Sequence, residues 1–341
     1  MKHHIYTHKF PVTLESGSIL PEVSIQYSTL GVRGENDNNV IWICHALTAN
    51  SDAETWWPGL VGSGYLYNPE EHFIICANVL SSCYGTTGPT ETDPTTNKPY
   101  FLTFPVITIR DMVMIHDILR THLGIQKIQS LIGGSLGGQQ AMEWAIQKPE
   151  LFKHLILLST NAFHSPWGIA FNESQRMAID MDPTWKNPSL DAGREGLKTA
   201  RAIAMLSYRS YETYVETQSE EDSDRTDDYK AITYQHYQGD KLVKRFNCHS
   251  YWYLSKAMDS HHVGRKRKSV KDALASITVK TLVIGISSDI LFPVCEQEFL
   301  AENIPGAEYQ YIDSLYGHDG FLVEVEKIET VIKDFYQKSN P

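Results

Sequence analysis

Ser135 lies in the run Leu131-Ile132-Gly133-Gly134-Ser135-Leu136-Gly137-Gly138, which fits the spacing G-x-S-x-G. An apolar stretch, Ile128 to Ile132, leads into it, and Gln139 to Gln147 reads as a helix. A strand that turns sharply into a helix at a serine lifts the hydroxyl clear of the backbone, as a nucleophile requires. The flanking glycines have a steric purpose, because such a turn strains the serine and crowds its neighbours, and residues without Cβ relieve the crowding. Taken alone, the pattern also describes an ordinary glycine-rich turn between a strand and a helix. A serine hydroxyl is a weak nucleophile at neutral pH, and needs a histidine base and an oriented carboxylate.

Both partners occur in the chain order Ser, Asp, His that suits this turn. The apolar strand Thr281 to Ile286 ends in Ser287-Ser288-Asp289, which puts Asp289 just beyond a strand's carboxyl end. A turn or N-cap aspartate is the plainer alternative there. His318 stands in Tyr316-Gly317-His318-Asp319-Gly320, between the strand-like Tyr309 to Ile312 and the last helix. It is the only one of the fourteen histidines that follows Asp289, although a polar turn residue would look the same. An oxyanion formed during acyl transfer needs two backbone N–H donors. One is expected from Leu136, the residue after the serine. The other is expected from Leu47, in the segment Cys44-His45-Ala46-Leu47-Thr48 that follows the first strong apolar run. His45 is expected to shape that loop rather than act as a second base.

The elements that would hold these residues are legible as short apolar runs. Val40 to Cys44, Phe73 to Val79, Ile128 to Ile132, His154 to Leu158 and Thr281 to Ile286 are continuous and rich in β-branched residues, as in strands buried on both faces of a parallel sheet. Thr108 to Leu123 has a helical apolar period, with Asp111 in its first turn and Gly124 placed for a left-handed C-cap. Alternating strands and helices give an α/β class with a mostly parallel central sheet flanked by helices. Between Ser165 and Ser276 the strand signals stop. Helical stretches at Glu173 to Asp180, Gly193 to Ser210, Tyr229 to Phe246 and Cys248 to Met258 take over, with an acidic loop at Ser219 to Asp228. We read residues 1–164 and 277–341 as one core and 165–276 as an inserted helical lid.

The chain has 341 residues and a net charge of −11, which disfavours nonspecific binding to nucleic acid or to an anionic membrane. No apolar run is long enough to cross a bilayer, and Met1 to Phe10 lacks a signal-peptide core, so a cytoplasmic protein is expected. The five cysteines (Cys44, Cys76, Cys83, Cys248 and Cys295) are scattered and lack metal-site spacing, which fits reduced thiols and no bound metal. The run Arg265-Lys266-Arg267-Lys268 reads either as a solvated face or as a contact to phosphates of a large anionic substrate.

Several further segments fall in a familiar order: Asn78-Val79-Leu80 through Gly85-Thr86-Thr87-Gly88-Pro89, Phe104 through Asp111, Gly196-Leu197 with Ala200-Arg201, Tyr208-Arg209-Ser210, and Gly317 through Leu322. With the serine, aspartate and histidine segments, they resemble the homoserine O-acetyltransferase family of the α/β-hydrolase superfamily over nearly the whole chain. That resemblance implies an α/β-hydrolase fold and ping-pong transfer of an acetyl group from acetyl-CoA to L-homoserine in methionine biosynthesis. Acetyl-CoA would be a co-substrate, with no permanently bound cofactor. It further implies that Arg201 and Asp319 bind the amino acid, a guanidinium for its carboxylate and a carboxylate for its ammonium group. Tyr208 and Arg209 are either secondary contacts or a solvated helix face. The family often has methionine where this chain has Leu136, a departure that leaves the backbone N–H in place. Members are commonly homodimers through the helical insertion, and the aromatics of Gly193 to Ser210 and Tyr229 to Met258 suit either such an interface or a lid core.

The same machinery could serve L-serine as acceptor, succinyl-CoA as donor, or water in a serine esterase. A succinyl tail would need a further cation near Ser135, and the sequence places none. An esterase for neutral esters would have no use for the Arg201 and Asp319 pair.

Overall fold

The computed structural model describes residues 1–339. Eight strands form one sheet: β1 (Lys2–His8), β2 (Val23–Leu30), β3 (Val40–Cys44), β4 (Phe73–Ala77), β5 (Ile128–Gly134), β6 (Phe152–Leu158), β7 (Lys280–Ile286) and β8 (Glu308–Ile312). Their spatial order is β1-β2-β4-β3-β5-β6-β7-β8. β2 is antiparallel to both its neighbours, and every other pairing is parallel.

The continuous apolar runs follow from burial on both faces. Side chains alternate across a strand. In β3, Ile41 and Ile43 enter one hydrophobic cluster, while Val40, Trp42 and Cys44 enter the other. In β7, Leu282, Ile284 and Ile286 face opposite to Val283. One face is covered by α1 (Ile109–His122), α2 (Leu136–Gln147) and the helix Val294–Asn303, which packs on β7 and β8; the other is covered by the last helix through Ile328, Ile332 and Phe335. Burying one such aliphatic or aromatic side chain is worth roughly 1.5–3 kcal/mol, so these alternating sets are what fix the register.

α1 begins as its sequence predicts. Thr108 caps the Asp111 N–H, and the Asp111 carboxylate accepts from the Thr108 N–H in a reciprocal capping box. Gly124 follows with φ of +66°. β1 and β2 were not anticipated. β1 is a largely exposed polar edge strand, whereas β2 alternates buried Val23, Ile25 and Tyr27 with more exposed neighbours, a period-2 signal its polar residues mask.

Between β6 and β7 the chain builds α3 (Pro166–Asp180), α4 (Arg194–Tyr208), α5 (Tyr211–Gln218), α6 (Lys230–Val243) and α7 (Cys248–Asp259). α3 starts well before the predicted Glu173, because Ser165 caps it and Pro166 opens it. α4 packs on both α3 and α6. Buried Arg176 of α3 pairs with Asp259 at the end of α7, which ties these helices together.

The basic run is held by ion pairs at the protein surface. Arg265 pairs with Glu15 at 2.7 Å, Arg267 with Glu143 at 2.6 Å and Lys268 with Asp272 at 3.0 Å. These carboxylates take up part of the run's charge while Lys266 and Lys268 stay exposed, which agrees with the reading of this run as a solvated face and does not favour the phosphate contact.

Candidate active site

β5 runs through both glycines, and Ser135 follows at φ 55° and ψ −125°, a conformation rare for a residue with a side chain. α2 begins at the very next residue. A Cβ at Gly133 would lie 2.2 Å from the Gly137 carbonyl oxygen, and one at Gly137 would lie 2.0 Å from the Cys44 carbonyl oxygen. The turn therefore closes only with glycine at both positions. Two further contacts brace it: the Ser135 N–H donates to the Leu158 carbonyl at 3.0 Å, and the Thr160 hydroxyl donates to the Ser135 carbonyl at 2.9 Å.

Asp289 and His318 reach Ser135 from loops beyond β7 and β8. His318 Nε2 is 2.9 Å from Ser135 Oγ, and His318 Nδ1 is 2.7 Å from Asp289 Oδ2. The other Asp289 oxygen accepts from the Leu291 and Phe292 N–H groups, each at 2.9 Å. With its lone pairs occupied on that side, the carboxylate presents one oxygen to the imidazole and fixes the tautomer that leaves Nε2 facing the serine. Phe292 stacks on the imidazole at 5.0 Å, and Phe321 meets its edge at 5.3 Å. Serines join the two loops: the Gly317 N–H donates to Ser288 Oγ at 2.9 Å, and the Ser314 N–H to Ser287 Oγ at 2.8 Å. Ser287 and Ser288 thus lead into the aspartate and also join two loops distant in sequence, a role that no local pattern announces. Ser135, Asp289 and His318 are all buried.

Leu47 and Leu136 flank the serine. Leu136 is the first residue of α2, so its N–H has no partner within the helix. Leu47 lies in the loop after β3 and lines the cavity into which Ser135 opens. His45 holds that loop. Its Nδ1 donates to the Ala46 carbonyl at 2.8 Å and its Nε2 accepts the Val79 N–H at 3.1 Å. Complete burial depresses its pKa to about 4, so it is neutral.

The cavity above Ser135 measures about 520 Å³. Its roof comes from α4 and α6, and it is lined by Arg201, Met205, Tyr208, Arg209, Lys241 and Arg245. The Arg201 guanidinium lies over the Tyr208 ring at 5.2 Å. Arg209 Nε pairs with Asp319 at 3.0 Å. Burial pushes the Asp319 carboxyl above its ordinary pKa, and Arg209 and then Arg201 oppose that rise. Four cations thus line the cavity: Arg201 and the secondary candidate Arg209, which is in direct contact with Asp319, together with Lys241 and Arg245, which the sequence did not single out. A larger hollow of about 1000 Å³ lies beyond Arg209, but none of Ser135, Asp289 and His318 lines it. Among the described residues no cluster of His, Cys, Asp or Glu suits a metal ion, and no helix is long and apolar enough to cross a membrane.

A nucleophile-bearing turn after the fifth strand of this sheet defines a class. The profile of the alpha/beta hydrolase fold matches residues 39–325, and the chain belongs to that family. Within it, the chain belongs with the homoserine O-acetyltransferases: the protein of that name from Cyclobacterium marinum is 46% identical over 340 residues, spanning 100% of this chain and 97% of the relative. Among solved structures, homoserine O-acetyltransferase from Bacillus anthracis superposes with a TM-score of 0.90 at 24% identity, covering 100% of this chain and 98% of that one. An acetylester hydrolase from Corynebacterium glutamicum gives 0.87 at 22% identity, covering 98% and 96%. At these identities the two likenesses speak to the fold alone, and one backbone evidently carries proteins named for transfer and for hydrolysis.

Proposed function

We propose that the protein transfers the acetyl group of acetyl-CoA to the hydroxyl of L-homoserine through an acetyl ester on Ser135. His318 Nε2 takes the Ser135 proton as Oγ attacks the thioester carbonyl. The Leu47 and Leu136 N–H groups hold the resulting oxyanion. Collapse breaks the C–S bond, and the CoA sulfur leaves with the proton held by His318. The homoserine hydroxyl then gives its proton to His318 and attacks the acetyl carbon. The second intermediate collapses to O-acetylhomoserine, and Ser135 Oγ regains the proton. Asp289 steadies the imidazolium in both halves.

The observation that carries this reading is the charged roof beside a buried Ser135–His318–Asp289 line. Arg201 takes the amino acid's carboxylate and Asp319 its ammonium group, with Arg209 holding Asp319 in place. A neutral ester would leave these charges unused. The curated relatives' name supports acetyl and homoserine over succinyl and serine. The cavity does hold cations that a succinyl tail could use, contrary to the sequence expectation, but Lys241 and Arg245 are solvent-exposed whereas Ser135 is buried. We further infer a cytoplasmic homodimer. Its support is the free cysteines, which suit a reducing compartment, and the exposed Met177, Met181, Leu206 and Tyr211 on the helical segment.

The test is thiol release from acetyl-CoA and succinyl-CoA, each with L-homoserine, L-serine or no acceptor. Rapid release only with acetyl-CoA and L-homoserine is expected. Preference for serine or succinyl-CoA would overturn the substrate assignment, and release independent of acceptor would make the protein a hydrolase. Sedimentation at micromolar concentration is expected to give twice the chain mass; a monomer would refute the dimer.

A further inference from the structure

The charge balance of the cavity exceeds what an amino acid can use. Arg201, Arg209, Lys241 and Arg245 line it against the single carboxylate Asp319, in a chain whose net charge is −11. Asp319 is satisfied by Arg209. The proposed homoserine carboxylate takes Arg201. Lys241 and Arg245 are left over, and among the described residues neither forms an ion pair.

Their placement is specific. Lys241 is in the last turn of α6, Arg245 lies two residues beyond the helix end, and both line the same cavity. Both are exposed, at the solvent end of a cavity whose floor is Ser135. The Lys241 ammonium group lies over the Tyr237 ring at 5.9 Å. Arg245 reaches the Thr48 carbonyl and hydroxyl and the Tyr84 hydroxyl, the last at 2.9 Å. A guanidinium carries five N–H donors, more than those three acceptors use. Arg245 also borders a second cavity of about 450 Å³, lined by Lys244 and Arg194, the latter paired with Asp191, and by Glu91, so the two hollows meet at this side chain.

We propose that Lys241 and Arg245 form the subsite that receives the phosphates of the thioester donor, with the acetyl group at Ser135 and the nucleotide end continuing into the second cavity. This rests on the acetyl-CoA reading above and deepens it. The buried end of the cavity suits the acetyl thioester and its uncharged arm. The exposed end suits a polyanion, since unpaired cations on a low-dielectric wall focus an attractive field. Arg offers the forked donor geometry that phosphate oxygens prefer, and Lys adds a point charge.

The experiment compares acetyl-CoA with S-acetylpantetheine, which has the same acetyl group and arm but no adenosine phosphates, in the wild type, Lys241→Ala and Arg245→Lys, with L-homoserine saturating. For Lys241→Ala, KM for acetyl-CoA should rise about tenfold or more, the scale of one hydrogen bond to a charged group. KM for S-acetylpantetheine should not follow it. The salt dependence of kcat/KM for acetyl-CoA should also flatten. Arg245→Lys keeps the charge but loses the fork, and should give a smaller rise with acetyl-CoA alone. Equal losses with both donors, or no loss with acetyl-CoA, would overturn the subsite. If the wild type fails to acetylate homoserine from acetyl-CoA at all, it is the functional reading that falls.

Discussion

The floor and the roof of the cavity are built on different principles. The floor is the end of a parallel sheet, where Ser135, Asp289 and His318 are buried, braced by backbone hydrogen bonds and wedged by Phe292 and Phe321. The roof is a set of helices whose cavity-facing side is charged, with Lys241 and Arg245 open to solvent. A rigid floor suits chemistry, because reacting groups must be held within tenths of an ångström. An open, charged roof suits selection, because long cationic side chains find anionic groups and can be exchanged without moving the nucleophile. The same fold is shared with a protein named as an acetylester hydrolase, and a fold does not by itself fix function.

This division can be broken first at the floor. Ser135→Ala should lower acetyl transfer by roughly four to six orders of magnitude while leaving the circular dichroism spectrum and melting temperature near wild type. Residual activity close to wild type would remove Ser135 from the mechanism. Asp289→Asn should follow with a loss of roughly three to four orders in kcat, because the amide favours the wrong imidazole tautomer. A loss confined to KM would move Asp289 out of the floor.

Changes to the roof should be smaller and of a different kind. Arg201→Ala and Asp319→Asn should each lower kcat/KM for L-homoserine by roughly 10- to 100-fold, the worth of a charge-assisted hydrogen bond. The acylation burst with a simple activated acetate ester should persist. If the burst vanished with either variant, floor and roof would not be separable.

Stability against pH sharpens the comparison from the side of the core. Burial holds His45 and His116 at a pKa of about 4, so below about pH 6.5 the unfolded chain binds protons that the folded chain refuses. The stability these residues contribute above that pH is lost as pH falls toward 4, and the melting temperature should drop over that interval. Glu296 runs the other way. Burial raises it to about 7, against hydrogen bonds from Asn161 and Ser165, so its contribution is present below about pH 4.5 and is lost as pH rises through 7. Glu296→Gln should therefore gain about 1 kcal/mol over wild type at pH 8 and nothing at pH 4, read by denaturant titration. No gain at pH 8 would mean that the carboxylate is better solvated than its burial implies.

The floor was far more legible in the sequence than the roof. Gly133 and Gly137 announce the turn because no other residue fits between carbonyl oxygens 2.0–2.2 Å from a would-be Cβ. Double-sided burial writes β3 as an unbroken apolar run and the second halves of β6 and β7 likewise, while Gln129 and Ser130 interrupt β5. β1 left no such mark, since an exposed edge strand need not be apolar. In the roof, Arg201 and Asp319 came from family likeness. The pairing of Arg209 with Asp319 joins residues over a hundred positions apart, and no local pattern encodes it. Lys241 and Arg245 look like any charges at a helix end until the helix is placed over the serine. The run Arg265 to Lys268 was ambiguous for the same reason: Glu15 and Glu143, which pair with its arginines, lie far away in sequence.

The most direct test of the central claim is intact-protein mass spectrometry of the enzyme mixed with acetyl-CoA, first without acceptor and then chased with L-homoserine. We predict one added acetyl group, mapped to Ser135 and absent in Ser135→Ala. L-homoserine should discharge it far faster than buffer alone. Absence of the adduct under rapid quench, or discharge by water as fast as by homoserine, would contradict a floor that forms the acyl-enzyme and a roof that selects what takes it.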